Sequence, residues 1–256
     1  MTDDSSGGGR TLNTIENAVE ILETLQELDG AGVTELAEQF DLTKGTMHTY
    51  LKTLDRQGLL VKNGTEYRVS LKVFEIGGRV RDGLAMYTSG RDPADRLAED
   101  TGELVHLALE QQGVIHYVYQ IHGSEAMKTT TPVGHTRPLH ATAAGKTILA
   151  MLSDERRDAL LQCCRFQALT AHTIDEREDL IEELDQVKER GYAINDREEI
   201  VGSRTLATPV SDSTGEVVGA VCLSGPASRF QEAYVSELVP QVKETANHIE
   251  VNLQRA

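Results

Sequence analysis

The chain has 256 residues, is 39% hydrophobic, and carries a formal charge of −16 from 41 acidic and 25 basic side chains. That is enough apolar material for packed cores in one or two domains. It holds no apolar run of the ~18 residues that a membrane span needs, its start MTDDSSGGGR lacks the apolar stretch of a secretory signal, and −16 taken whole argues against nucleic acid, whose affinity rests on positive charge.

Residues 1–9, mostly Asp, Ser and Gly, read as a disordered tail. Leu12, Ile15, Val19, Leu22 and Leu25 then recur at three and four, predicting a helix over 11–28 with that stripe inward. Asp29-Gly30-Ala31-Gly32 stops it. Thr34 suits the N-cap of a second helix running to Phe40. Thr43 suits the cap of a third over 44–57, with Met47, Tyr50, Leu51 and Leu54 inward and Gly58 just past its end. Two short β-type runs, 59–61 and 67–69, flank Asn63-Gly64, a strong hairpin signal.

Residues 10–70 therefore read as three helices and a β-hairpin, the winged helix-turn-helix pattern. Helical spacing alone does not separate this from a generic three-helix bundle; charge does. Residues 41–72 carry six basic side chains against three acidic ones, a net +3, whereas residues 10–40 hold one basic and seven acidic. The third helix offers Lys44, Gly45, Thr46, His48, Thr49 and Lys52, with Thr43 at its start and Lys62 and Arg68 on the wing. Hydroxyl and imidazole groups can bond base edges or phosphates, and Lys and Arg neutralise phosphate.

Residues 71–92 form a connecting helix with a candidate flexible point at Gly77-Gly78. Asp92-Pro93-Ala94 opens another helix, with Pro93 at its first position. Residues 93–256 read as a separate α/β domain. Its candidate strands are 105–110, 114–120, 126–131, 205–210 and 217–223, with a further one entered at Tyr192. Its helices are 142–152, 154–164, 174–190 and a final one carrying Val235, Leu238, Val242, Ala246, Ile249 and Leu253. The fold class is α+β.

Three motifs stand in order in that domain. They are Pro138-Leu139-His140-Ala141-Thr142-Ala143-Ala144-Gly145-Lys146, then Gly191-Tyr192-Ala193-Ile194-Asn195-Asp196-Arg197-Glu198-Glu199, then Val221-Cys222-Leu223-Ser224-Gly225-Pro226. With the winged helix-turn-helix they resemble the IclR family of transcriptional regulators over residues 11–255. The resemblance implies a GAF-like effector-binding domain, a homodimer or homotetramer, a palindromic double-stranded DNA operator and a small-molecule effector, a carboxylate or sugar-derived metabolite. It implies no cofactor and no enzymatic activity. By position, the effector cup has its floor at His140, Ala141, Ala143, Ala144 and Gly145, where helix-start N–H groups suit a carboxylate. Its polar walls fall at Asn195, Thr205, Cys222 and Ser224, with Met127 as an apolar wall. The family often has Asp where Asn195 stands, which points to a different anion or a polyol. Many members have Arg where Thr49 stands, so one phosphate or base contact is lost. Alternatively, Cys222 is a small core residue and Asn195 a turn residue.

Other constellations are weaker. Cys163, Cys164 and Cys222 have no metal spacing, and adjacent Cys163 and Cys164 suit a mutual bridge poorly. His135 with His140, and His106 with His116, match no metal cage. Cys222 with His140 as nucleophile and base lacks any supporting motif. Ala144-Gly145-Lys146-Thr147 is similar to the end of a phosphate loop, but His140 stands where its first Gly belongs. Seventeen Arg against eight Lys on an acidic body is similar to proteins of salt-loving organisms. The expectation is a reduced, cytoplasmic, ligand-controlled DNA-binding regulator of a catabolic pathway, sugar or sugar-acid by the family's habits. The alternative is a metabolite sensor acting through protein partners.

Overall fold

The computed structural model describes residues 11–128 and 132–255, so the expected tail at 1–9 lies outside the described residues. The chain divides into two compact units between Val80 and Arg81. No helix among the described residues is long and apolar enough to cross a membrane.

The first unit contains α1 (Asn13–Glu27), β1 (Ala31–Gly32), α2 (Val33–Gln39), α3 (Lys44–Arg56), β2 (Leu60–Asn63) and β3 (Glu66–Val69), and α4 (Leu71–Asp82) leaves it. Ile21, Leu25, Leu36, Met47, Leu51, Leu60 and Tyr67 form its core. The Thr43 hydroxyl accepts from the Thr46 amide at 3.1 Å, so α3 starts where the cap residue sets it. Gly58 follows α3 at φ +75°, a left-handed turn that glycine makes without strain.

Four local expectations change in this unit. The inward face of α1 is Ala18, Ile21, Leu22 and Leu25, while Leu12, Ile15 and Val19 are exposed. The sequence carries two overlapping apolar stripes, and only the one in the second half of the helix reaches the core. Thr34 does not cap α2; Gly32 stands at the N-cap with no side-chain bond. The reason is β1, where Ala31 pairs with Tyr67 and Gly32 with Glu66, so α2 starts directly after it. The wing is therefore three-stranded, in the order β1-β3-β2. Finally, α4 runs unbroken through Gly77-Gly78 and buries no side chain, leaving Leu71, Phe74, Ile76 and Val80 exposed.

The second unit contains α5 (Ala85–Thr101), β4 (Leu104–Gln111), β5 (Val114–His122), β6 (Thr136–Pro138), α6 (Ala143–Met151), α7 (Asp154–Gln162), α8 (Arg177–Arg190), β7 (Ala193–Asp196), β8 (Ser203–Ser211), β9 (Val217–Pro226) and α9 (Glu232–Leu253). The sheet runs β6-β5-β4-β9-β8-β7, with antiparallel neighbours throughout. Strand alternation sends Val105, Leu107, Leu206, Val221 and Leu223 to one face, where they meet Leu97 of α5 and Leu238, Val242 and Ile249 of α9. Ala108, Tyr117, Ala207, Ala220 and Cys222 point to the other face and meet Ile148 and Leu149 of α6 and Leu184 of α8. This α/β arrangement agrees with the expected class.

Pro93 lies inside α5 rather than at a helix start. The expected strand 126–131 is absent where it can be seen: Ala126, Met127 and Lys128 form no strand, and 129–131 lie outside the described residues. The edge position next to β5 is taken instead by β6, through Val114–Pro138 and Ile115–Arg137 pairs.

Candidate functional site

Two regions carry the polar chemistry, one in each unit. The first is the outward face of α3. Lys44, Gly45, Thr46, His48, Thr49 and Lys52 are all exposed, while Met47, Leu51 and Leu54 hold the helix to the core. Two hydroxyls are engaged locally: Thr49 Oγ1 donates to the Gly45 carbonyl at 2.9 Å and Thr46 Oγ1 lies 2.9 Å from Thr43 Oγ1. Lys44, His48 and Lys52 thus project with the fewest internal ties. On the wing, Lys62 Nζ sits over the Tyr67 ring at 5.5 Å. Arg68 is held by Asp29 at 3.1 Å and by Glu66 at 3.7 Å. It also packs over Gly30 (φ +113°), where an added Cβ would stand 2.8 Å from Arg68 Cγ. Lys72 is taken as well, donating to the Gln57 carbonyl at 2.6 Å and closing the end of α3. Of the cluster's basic residues, Arg68 and Lys72 are thus spent on structure.

The second region is a small cavity of about 30 Å³ on the α6 face of the sheet, lined by Leu104, His106, Tyr117, Met127, Glu199, Ile200, Ser203, Thr205 and Ser224. Register explains the set. Leu104 pairs with Ser224, Ser224 with Thr205 and Thr205 with Asn195, making one cross-strand row. The next row is His106, Cys222, Ala207 and Ala193. Thr205 Oγ1 and Ser224 Oγ are 2.9 Å apart.

Met127, Thr205 and Ser224 line this space; the other residues expected there do not. Asn195 is buried and bonded at both ends, donating to the Ala141 carbonyl at 2.6 Å and accepting from the Glu198 amide at 3.0 Å. Cys222 lies in the core under α6, where burial pushes its thiol pKa up. His140 turns toward the Gln167 carbonyl at 3.1 Å and Cys164 Sγ at 3.6 Å, and burial holds its pKa down. Ala141, Ala143, Ala144 and Gly145 are buried at the start of α6. Gly145 is needed there because a Cβ would overlap the Leu139 carbonyl, and its amide donates to Thr142 Oγ1 at 3.0 Å.

Sequence reasoning missed His106, Tyr117 and Glu199. His106 is buried and its Nδ1 has no hydrogen-bond partner; its ring lies 4.8 Å from that of Tyr117. Burial, with the charge of His122, lowers its pKa to about 3, so it is neutral. Burial raises the pKa of Glu199 against the opposing pull of Arg137, which stands 2.5 Å away. His106 and Tyr117 lie on candidate strands and Glu199 closes the second motif in the bend after β7, but only the fold brings the three together.

Lys146 of the phosphate-loop-like stretch is fully buried. It donates to Glu198 Oε1 and to the Ile194 carbonyl, both at 2.6 Å, with Glu183 at 3.6 Å. An ammonium has three donors, so this one is committed internally rather than to a phosphate. Among the described residues no group of three or more His, Cys, Asp or Glu is placed to hold a metal ion.

Comparison with known proteins bears on both regions. The family description "IclR helix-turn-helix domain" matches residues 14–64, and "Bacterial transcriptional regulator IclR C-terminal" matches residues 81–251. The "Probable HTH-type transcriptional regulator ArcR" of Halobacterium salinarum is 36% identical over 98% of each chain. The regulator KdgR of Dickeya chrysanthemi is 31% identical over 90% of this chain and 76% of its own. The crystal structure of the Thermotoga maritima IclR superposes with a TM-score of 0.80 at 27% identity, covering 95% of this chain and 100% of that one. Family descriptions that meet these two regions in turn, and relatives that align along the chain, make it a DNA-binding regulator rather than an enzyme: it belongs to the IclR family of transcriptional regulators.

Proposed function

We propose that the protein works as a homodimer or homotetramer whose paired α3 helices enter successive major grooves of a palindromic operator, with the wings resting on the backbone. The observation that carries this is the exposed face of α3, whose Lys44, His48 and Lys52 are free of strong internal ties. The exposed apolar side chains of α1 and α4, Ile15, Val19, Phe74 and Val80 among them, supply a surface for pairing. A small metabolite in the cavity shifts the balance of dimer arrangements through α4. It does so only by its differential affinity for them. A DNA-reading role supports a cytoplasmic location, and the acidic body suits a salty cytoplasm. Two relatives near 30% identity are named KdgR and XynR, which supports a sugar or sugar-acid catabolic pathway, pentose pathways among them. Genome-wide occupancy mapping tests the reading: discrete palindromic peaks beside catabolic genes are expected. Absence of any peak, with protein partners captured instead, would overturn it.

A further inference from the structure

Arg68 and Lys72 are both held in the structure, but by partners of different kinds. Lys72 donates to the Gln57 carbonyl at 2.6 Å, and releasing it would undo the end of α3. Arg68 is held by side-chain carboxylates: Nη1 stands 3.1 Å from Asp29 Oδ1 and Nη2 3.7 Å from Glu66 Oε2. The Asp29 side chain is 91% exposed and that of Glu66 52%. Ion pairs this open to water contribute little to stability, and water meets both carboxylates if the guanidinium leaves. A phosphate offers a guanidinium the same kind of acceptor oxygens, and neutralising it also releases counterions.

The charge of Asp29 is at odds with its own helix. Asp29 follows Leu28, the C-cap of α1, at φ +52°, a left-handed position usually taken by Gly or Asn. A carboxylate at a helix C-terminus also opposes the helix dipole. Arg68 is the group that answers this charge. Gly30, at φ +113°, turns the chain so closely under Arg68 that an added Cβ would stand 2.8 Å from Arg68 Cγ. The turn thus seats an arginine stem above it and a carboxylate beside the guanidinium, in the same unit as the reading helix.

We propose that Arg68 is a DNA-contacting residue of the wing, and that Asp29 and Glu66 occupy its guanidinium as stand-ins for one backbone phosphate, which replaces them on binding. This rests on α3 and the wing facing DNA. The exchange sets affinity rather than sequence choice, since a phosphate carries no base identity. Salt weakens the internal pairs along with the phosphate contact, so the exchange also blunts the salt sensitivity of binding.

The test needs no known operator, because phosphate contacts are independent of sequence. Fluorescence anisotropy of the full-length protein with a random-sequence duplex, long enough for a pair of half-sites, gives affinity at several KCl concentrations. Arg68→Met, which keeps the stem over Gly30, should weaken binding by about three- to tenfold. Asp29→Asn combined with Glu66→Gln should tighten it by about tenfold and steepen the salt slope by up to about 1. In an Arg68→Met background the same combination should gain about threefold at most, the share due to removing negative charge beside DNA, with the slope unchanged. If Arg68→Met does not fold, Arg68→Gln takes its place. Equal gains in both backgrounds would overturn the exchange and leave plain repulsion. Binding weakened by Lys44→Ala but not by Arg68→Met would also overturn it, while keeping α3 at the DNA. Binding indifferent to both would overturn the DNA face itself.

Discussion

The carbonyl of Ser89 in α5 accepts a hydrogen bond from Asn252 Nδ2 near the end of α9, at 3.0 Å. Pro93 stands four residues after Ser89 and has no N–H to give it. A side chain 163 residues away thus supplies the donor that the helix lacks. Asn252→Ala should therefore cost about 1–2 kcal/mol, since Ser89 is buried and its carbonyl would be unmet. In a Pro93→Ala background, which restores the helical donor, most of that cost should vanish. Urea unfolding of the four proteins of this cycle checks it, and equal costs in both backgrounds would refute the substitution of one donor for the other.

Lys146 and Glu198 form a buried ion pair at 2.6 Å. Lys146→Met should cost about 3–5 kcal/mol at neutral pH, because a carboxylate is left buried and unpaired. Glu198→Gln added to it should recover much of that. Burial already raises the Glu198 pKa, and losing Lys146 raises it further. A carboxyl with a folded pKa above its unfolded one loses stability as pH rises through that range, so the Lys146→Met deficit should shrink toward about pH 5. Thermal unfolding across pH measures this.

Lys44→Ala should weaken operator binding and lower the salt slope of log affinity by about 1. Thr46→Ala should also weaken it, by loss of a contact at the start of α3. Neither should change effector affinity, since both residues lie in the other unit from the cavity. Mobility-shift titrations at several salt concentrations are the measurement, and unimpaired binding in both variants would remove α3 as the reading helix.

His106 should give a pH signature of its own. Its folded pKa, about 3, lies below the 6.5 of the free side chain. The unfolded chain then binds more protons between those values, so stability is complete above about pH 6.5 and falls as pH drops, by up to ~1.4 kcal/mol per unit. His106→Phe should flatten this slope relative to the parent protein, the other titrating groups cancelling in the difference. Its ring resonances should show no titration between about pH 5 and pH 8.

Long periodic segments were legible from sequence: α8, α9 and α3 with its Thr43 cap all form where hydrophobic spacing and capping chemistry place them. Short or tertiary-determined features were not. β1 is two residues in a Gly-rich stretch, and only pairing with β3 makes it a strand. Pro93 reads locally as a helix start; its tolerance inside α5 depends on Asn252, which no local window contains. Leu12, Ile15 and Val19 match an inward stripe as well as Ile21 and Leu25 do, and the core's position on α1 decides between them. In the cavity, Ser224 belongs to the third motif, whereas Thr205 and Met127 lie outside all three and were placed there by the family resemblance. His106 lies on β4, outside every motif, and meets them because β4 is the neighbour of β9.

That last adjacency sets an order of events during synthesis. β4 begins at Leu104 and its partner β9 at Val217, and Glu103 waits for Arg229, 126 residues later, to fill a bidentate pair at 2.6 and 2.7 Å. The middle of the sheet cannot close until almost the whole chain has left the ribosome, whereas the first unit needs only its own eighty residues. Non-local closure is slow and local contacts are fast. Each new copy therefore carries a finished DNA-reading unit while its sensor is still open, and a stalled or truncated chain ending before β9 would be a reader without a governor.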